Sequence, residues 1–155
     1  MKNLFNLENR VAIVTGGAGI LGVKHAEAIA EIGGIPVLLD INEEKVKSDA
    51  KIFKDRYNVN AIGIKCDITK VEEVKSVLYK IINDYGQIDI LINNAALDPK
   101  VEKKGTKKNN SRLENIIINR WEKEFNVGVT GIFICTYVFG SHMAECGRGI
   151  IINIG

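Results

Sequence analysis

Short apolar runs alternate along this chain with longer segments of mixed apolar and charged residues. The first run, Val11–Val14, is continuous and ends in glycines, which is typical of a strand buried on both faces. Similar runs predict strands at 36–39, 61–67, 88–92 and 150–154. Apolar residues at helical spacing predict helices at 21–31, 71–85 and 118–146, and the charged segment 43–56 is also helix-like. The alternation predicts one α/β domain over residues 1–155, a doubly wound parallel sheet in three layers that stops after its fifth strand.

The sequence also predicts how one helix begins and what one helix face contains. Thr69 is predicted to cap the third helix, with Glu72 three positions later completing a capping box. In the last helix the large aromatic side chains are predicted to form a packed face, not a platform for stacked bases. These residues are Trp121, Phe125, Phe133 and Phe139.

Composition narrows the class of protein. The chain has 155 residues, of which 46% are hydrophobic and 26% charged, and its formal net charge is +2. Such values are ordinary for a globular domain and favour neither a nucleic-acid nor a membrane partner. The sequence contains no run of about 18 uncharged apolar residues, so no membrane span is predicted. Cys66, Cys135 and Cys146 have no CxxC spacing and are interpreted as reduced, buried residues of a cytoplasmic protein without a metal site.

The segment from Thr15 to Gly22 contains the most informative motif. Its GxGxxG pattern follows the first predicted strand and opens the first predicted helix, the context in which it indicates a Rossmann-type dinucleotide site. Glycines permit a tight turn and a close approach of the main chain, and free N–H groups at a helix start hold an anion. We therefore expect a cofactor's diphosphate to contact Gly16, Gly17, Gly19, Ile20, Leu21 and Gly22.

An acidic residue, Asp40, ends the second predicted strand. A carboxylate at this place accepts hydrogen bonds from the adenosine ribose and repels a 2′-phosphate, which favours NAD over NADP. Ile41 follows it, so the sequence shows no adjacent cation for that phosphate, and both residues are predicted to contact the cofactor. The alternative is that Asp40 only caps a solvated turn.

Four segments match the motifs of one known family. They are Thr15–Gly22, Cys66–Ile68, Asn93–Ala96 and Ile150–Gly155. They are similar, in that order, to TGxxxGxG, to the D-[VIL] after the third strand, to NNAG, and to the strand that leads into a catalytic serine. Through these segments the chain resembles the short-chain dehydrogenase/reductase family over nearly its whole length, from Leu7 to Gly155. The resemblance implies an NAD-dependent oxidoreductase that transfers a hydride between an alcohol and a carbonyl of a small-molecule substrate.

The resemblance also implies roles for individual residues. Asp67 and Ile68 would contact the adenine, and Asn94, Ala95 and Ala96 would line the cofactor cleft. The alternatives are that Asp67 caps the next helix and that the two asparagines form a polar turn. The glycine segment itself fits TGxxGxxG, the form seen in the extended branch of the family, because Ile20 occupies the usual place of a glycine.

Two departures from the family limit the expected chemistry. The family's long helix carries an asparagine in a stretch like VNxTG, and the corresponding position in this chain is Gly128. Asn126 lies two residues earlier, which turns it by about 200° on an α-helix, so the role is not transferred to it. The family's serine would follow Gly155, and no tyrosine of this chain is followed four residues later by lysine. No catalytic residue is therefore predicted, and little turnover is expected from residues 1–155 alone.

Several alternatives and partners stay open. The chain is either the cofactor portion of this oxidoreductase, a non-catalytic dinucleotide-binding module, or part of a nucleotide-sugar epimerase or reductase. The basic segment within 98–115 is either a loop facing an anionic substrate or a solvated loop. The helix at 118–146 resembles the one through which family members pair, so a homo-oligomer is expected. The apolar run 150–154 is expected to be exposed and prone to association.

Overall fold

The computed structural model describes residues 5–97 and 117–155. The strands are β1 (Val11–Thr15), β2 (Ile35–Asp40), β3 (Ile62–Lys65), β4 (Ile90–Asn93) and β5 (Ile150–Asn153). The helices are α1 (Ile20–Glu31), α2 (Glu43–Tyr57), α3 (Val71–Tyr85), α4 (Ile118–Phe125) and α5 (Ile132–Glu145). A π-helical segment, Asn126–Gly131, joins α4 to α5. The predicted alternation of strands and helices is confirmed, while the basic segment within 98–115 lies outside the described residues.

The five strands form one parallel sheet in the order β3-β2-β1-β4-β5. β1 is central: it pairs along its whole length with residues 35–39 of β2, and its residues 12–14 pair with 90–92 of β4. The chain builds outward from β1 to β3 and then returns to the other side of β1. This reversal is a topological switch point beside β1, and doubly wound sheets bind ligands at the carboxyl ends of the strands next to such a point.

Alternate residues of the central strands supply two separate cores, because side chains of a strand point to opposite faces in turn. Val11 and Ile13 of β1 pack in the core that α3 and α5 cover. Ala12 and Val14 pack in the core that α1 and α2 cover. The predicted three layers, with helices on both faces of the sheet, are thereby confirmed.

Two predicted boundaries differ in the structure, and side-chain hydrogen bonds lie at both. β4 begins at Ile90, after Asp89, whose carboxylate accepts the N–H of Val11 at 2.9 Å. The cap predicted at Thr69 is wrong, because α3 begins at Val71 and no side chain caps it. Instead, the carboxylate of Glu73 accepts the main-chain N–H of Asp67 at 2.8 Å, so the backward contact expected of Glu72 is made one residue later.

Exposure corrects the predictions for one cysteine and three aromatic residues. Cys66 and Cys135 are buried as predicted, but Cys146, at the end of α5, is exposed. Phe139 is fully buried against the sheet. The other three aromatic side chains of this helix are about half exposed or more, because they lie on the side that faces away from the sheet; they are Trp121, Phe125 and Phe133.

The helix from Ile118 to Glu145 is long and apolar enough to cross a membrane by length and composition. Polar residues interrupt its apolar positions, so the sequence shows no continuous apolar run of about 18 residues there. One such helix is weak evidence, because the core helix of a globular domain meets the same test. Its buried residues face the sheet; they include Ile134, Cys135, Val138, Phe139 and Met143.

β5 lies at an edge of the sheet, and all four of its residues are exposed. Ile150 keeps 59% of its surface and Ile152 keeps 43%. The predicted exposure of this apolar run is confirmed, and its tendency to associate stays a prediction.

Candidate cofactor site

The carboxyl ends of the parallel strands meet at one edge of the sheet, and most of the predicted site residues follow directly from them. The glycine segment follows β1, Asp40 ends β2, Asp67 follows β3, and Asn94 follows β4. The fold therefore collects four segments that are far apart in the sequence. Within residues 5–97 and 117–155, no three His, Cys, Asp or Glu side chains lie together as metal ligands.

Three glycines of the segment after β1 have no room for a side chain. Gly16 has a φ of +64°, and a Cβ there would lie 2.9 Å from the Cα of Ala95. A Cβ on Gly17 would lie 2.7 Å from the Cβ of Leu38, and one on Gly22 would overlap the carbonyl of Gly16. Packing within the protein is thus sufficient to explain why these three positions are glycine.

Gly19 differs from the other glycines of this segment. A Cβ there would meet only the carbonyl oxygen of Gly16, at 3.1 Å, and the backbone of Gly19 is extended with a φ of −73°. The protein's own packing leaves its outer side open. An absent side chain at this position leaves space for a ligand to approach the start of α1, which fits the close approach that a diphosphate needs.

The main-chain N–H groups of residues 17–19 are already engaged within the protein. Gly17 donates to the carbonyl of Leu39 at 2.9 Å, Gly19 donates to the carbonyl of Gly16 at 2.9 Å, and Ala18 donates to the carboxylate of Asp40 at 3.2 Å. These bonds maintain the shape of the turn. Of the residues 16–22 that were predicted to contact the diphosphate, Gly17 and Gly19 therefore use their N–H groups within the protein, and the N–H groups in the first turn of α1 stay available.

That first turn has the features of an anion site. Gly19 precedes α1 and has no side chain to cap it, and the turn contains no acidic residue. The N–H groups at a helix start and the positive end of its dipole attract an anion when no side chain satisfies them. Ile20 and Leu21, which begin the helix, are 89% and 58% exposed. A cofactor's diphosphate fits here.

Asp40 is held in a defined orientation at the end of β2. Its Oδ2 accepts the N–H of Ala18 at 3.2 Å, and its Oδ1 accepts the N–H of Asn42 at 3.0 Å. Asp40 therefore caps the turn, as the alternative interpretation expected. Its carboxylate can still accept hydrogen bonds from a ligand, because each oxygen can accept more than one hydrogen bond. Ile41 beside it is 67% exposed. The arrangement fits ribose hydroxyls next to the glycine turn.

A buried threonine ties the segment after β4 to the turn after β1. The hydroxyl of Thr15 accepts the N–H groups of Asn94 and Ala95, each at 3.0 Å. The side-chain amide of Asn94 donates back to the carbonyl of Thr15 at 3.0 Å. This connection places Asn94 and Ala95 beside the glycine turn, and Ala96 follows as an exposed residue. Sequence reasoning did not predict the contact, although both residues belong to the motifs that it quoted.

Asp67 organises the connection from β3 to α3. Its Oδ1 accepts the hydroxyl of Thr69 at 2.7 Å and the N–H of the same residue at 3.0 Å. The hydroxyl bond lowers the pKa of Asp67, and the neighbouring Lys70 ammonium acts in the same direction. Ile68 is buried, and a Cβ on Gly131 would clash with its side chain at 2.7 Å. Ile68 therefore packs under the π-helical segment, and its predicted adenine contact stays a prediction.

Gly128 lies in the π-helical segment, where sequence reasoning expected a regular α-helix. A Cβ at this position would meet nothing within 4 Å. Such segments often occur at functional sites. The local signal for it was the poor helix propensity of 127–131, which combines two glycines with two valines and a threonine. Packing within the described residues thus leaves room for a Cβ at position 128.

A buried asparagine that the sequence analysis did not single out joins three elements. The side-chain amide of Asn93 donates to Asn153 at 2.8 Å and to the hydroxyl of Thr136 at 3.2 Å. Its Oδ1 is buried and has no hydrogen-bond donor among the described residues. The next residue, Asn94, is bound to Thr15, so the two asparagines hold the end of β4 from both sides.

Comparison with known proteins agrees with this architecture. The family model described as short chain dehydrogenase matches residues 10–155. The chain belongs to the short-chain dehydrogenase family. This confirms the resemblance that the four segments suggested.

Two curated relatives and one solved structure illustrate this family membership. The chain is 34% identical over 148 residues to the (2S)-[(R)-hydroxy(phenyl)methyl]succinyl-CoA dehydrogenase subunit BbsD of Thauera aromatica, covering 96% of this chain and 55% of that protein. It is 33% identical over 150 residues to the NAD-dependent glycerol dehydrogenase of Listeria innocua, covering 97% of this chain and 54% of that protein. A solved structure of a gluconate 5-dehydrogenase from Burkholderia cenocepacia, in complex with NADP and tartrate, superimposes with a TM-score of 0.83 at 28% identity. That match covers 98% of this chain and 55% of the solved chain.

The chain spans about half the length of the curated relatives it matches. These relatives and structural neighbours include both NAD-dependent and NADP-bound proteins. The relatives therefore share a nicotinamide dinucleotide as the type of cofactor but differ in which of the two they use.

Proposed function

We propose that this chain is the dinucleotide-binding portion of an NAD-dependent oxidoreductase acting between an alcohol and a carbonyl. The bound nicotinamide would supply or accept the hydride. The first turn of α1 would hold the diphosphate and Asp40 the adenosine ribose. Asp67 would lie at the adenine end, and the segment 94–96 would line the opposite side of the cleft.

The observation that supports NAD most directly is the oriented carboxylate of Asp40. It is bound to the N–H of Ala18, so it lies next to the turn that precedes the diphosphate site. A negative charge at this place attracts ribose hydroxyls and repels a 2′-phosphate. No cation follows it directly in the sequence, since the next residue is Ile41.

Calorimetric titration with NADH and NADPH tests the proposal. We expect the wild-type chain to bind NADH more tightly, and Asp40→Asn to lose roughly ten- to a hundredfold in NADH affinity, the value of hydrogen bonds to a charged group. Asparagine is the appropriate substitution because its side-chain oxygen can still accept the N–H of Ala18 or Asn42. Asp55→Asn, an exposed residue of α2, is the control for a change of charge. Absence of NADH binding, or an unchanged preference in Asp40→Asn, would contradict the proposal.

We infer that residues 1–155 alone bind the cofactor without efficient turnover. Reduction of a carbonyl needs a proton donor where charge develops on oxygen. These residues contain no tyrosine followed four positions later by lysine, and position 128 is glycine. An assay with NADH and a panel of small aldehydes and ketones checks this, and turnover at ordinary enzyme rates would contradict it.

The three free cysteines support a cytoplasmic location.

We also propose that the outer face of α4 and α5 binds a second copy of the chain. Large side chains lie exposed along this face at four-residue intervals, and the rings of Phe133 and Tyr137 stack at 6.3 Å. Exposed apolar patches of this kind commonly mark protein interfaces. The residues are Trp121, Phe125, Val129, Phe133 and Tyr137. Phe133→Glu should shift the oligomer toward monomer in sedimentation analysis, and an unchanged oligomer would refute this interface.

A further inference from the structure

The residue beside Asp40 on the neighbouring strand is a lysine, which the one-dimensional sequence does not reveal. Asp40 and Lys65 are the last residues of β2 and β3, and they are partners in the register of the two strands. Neighbouring strands are about 4.8 Å apart, so a lysine side chain easily reaches the surroundings of its partner. The sequence analysis considered only Ile41 as a neighbour of Asp40 and thus missed this cation.

Strand geometry places both side chains on the same face of the sheet. Side chains alternate between faces, and Gly63, two residues before Lys65, lies directly under α2, since a Cβ there would overlap the carbonyl of Val46. Lys65 consequently projects toward the start of α2. Its charge contributes to the lowered pKa of Glu43, the first residue of that helix, after the larger effect of Lys47.

The other cations near this end of α2 are engaged. Lys47 forms an ion pair with Glu43 at 2.6 Å, and Lys45 forms one with Asp49 at 2.7 Å. Lys65 forms no ion pair within 4.0 Å among residues 5–97 and 117–155. It is therefore the cation of this region that a phosphate could engage without breaking an existing pair.

We propose that Lys65 is a second determinant of cofactor preference: its ammonium attracts the 2′-phosphate of a phosphorylated dinucleotide and limits the discrimination that Asp40 exerts. The inference rests on the proposed function, because it assumes that the adenosine ribose lies at Asp40. Ammonium groups bind phosphates as point charges. The carboxylate on β2 and the ammonium on β3 thus act in opposite directions on the same ligand group.

A four-protein cycle of wild type, Lys65→Gln, Asp40→Asn and the double variant tests this. Binding of NADH and NADPH, and of ADP-ribose with and without a 2′-phosphate, is measured by calorimetry. We expect Lys65→Gln to weaken the 2′-phosphorylated ligands by about two- to fivefold, the value of an exposed charge pair, and to leave the others nearly unchanged. The loss should be larger when Asp40 is already asparagine, because its repulsion is then absent.

Lys51→Gln, an exposed lysine further along α2, is the matched control and should leave the preference unchanged. The inference is overturned if NADH binds but Lys65→Gln changes the affinity for the 2′-phosphorylated ligands neither in the wild type nor in Asp40→Asn. It is also overturned if Lys51→Gln has the same effect as Lys65→Gln. Failure of the wild-type chain to bind any of the four ligands would instead overturn the proposed function, and this inference with it. Lower salt should enlarge the effect of Lys65→Gln on the phosphorylated ligands, because exposed charges are screened by ions.

Discussion

β1 and β5 are both continuous apolar runs, yet they lie in opposite surroundings. β1 has a strand on each side and helices over both faces, and all five of its residues are buried. β5 has β4 as its one strand neighbour among the described residues, and Ile150 keeps more than half of its surface. A run of apolar residues thus predicts a strand in both places. The number of neighbours, which the sequence pattern does not contain, determines how much of that strand is buried.

The sharpest way to test this comparison is to shorten the same residue type in both strands. Ile13→Ala in β1 removes a side chain with 0% exposure and should lower the free energy of unfolding by about 2–5 kcal/mol. Ile150→Ala in β5 should cost less than about 1 kcal/mol, because most of that side chain already contacts water. Urea denaturation followed by circular dichroism measures both. Equal losses would show that β5 is covered in solution, for example by a second copy.

A second prediction compares a glycine that packs against the turn after β1 with a glycine in the π-helical segment. Gly22→Ala, whose Cβ would overlap the carbonyl of Gly16, should cost roughly 1–3 kcal/mol and abolish NADH binding by displacing the turn. Gly128→Ala meets nothing within 4 Å and replaces a poor helix former, so it should raise stability by up to about 1 kcal/mol. Thermal unfolding measures the stability of both variants, and calorimetric titration measures their NADH binding. A stable Gly22→Ala variant that still binds NADH would disprove the packing argument for this glycine.

The connection at Asp67 gives a smaller effect with a defined pH dependence. Asp67→Ala removes the acceptor for Thr69 and should cost about 1 kcal/mol at neutral pH, whereas Asp67→Asn keeps an acceptor and should cost less. Hydrogen bonding lowers the pKa of Asp67 below its ordinary 3.8, so its charge stabilises the fold above that value. The contribution is lost as the pH falls through the lowered pKa. The gap between wild type and Asp67→Ala, measured by urea denaturation, should therefore shrink in acid, and a constant gap would contradict this.

The smallest effect concerns the thiols and leaves stability unchanged. Burial raises the pKa of Cys66 and of Cys135 to about 12, while Cys146 is exposed at the end of α5. At pH 8 we expect iodoacetamide to modify Cys146 alone in the folded chain, and all three cysteines after denaturation. Mass spectrometry of the labelled peptides measures this. Rapid modification of Cys135 would show that α5 separates from the sheet.

Much of the candidate site was predictable because its signals are local. The glycines between β1 and α1, and the carboxylate that ends β2, follow from turn chemistry and strand ends, which nearby residues define. The hydrogen bonds of Thr15 with Asn94 and the network around Asn93 were not predictable in this way, because each joins elements separated by more than forty residues. The π-helical segment was also missed, since a regular helical spacing was assumed across 118–146.

The sequence by itself determined the order of strands and helices and the doubly wound class of the sheet, and it predicted where a dinucleotide would bind. Periodicity and turn residues act over short distances, so one dimension is enough to show them. Only the tertiary structure decided which N–H groups of the glycine turn remain available, that Lys65 lies beside Asp40, and that Cys146 and three aromatic residues face outward. Those properties depend on which segments meet in space, and residues that are adjacent across a sheet can be far apart along the chain.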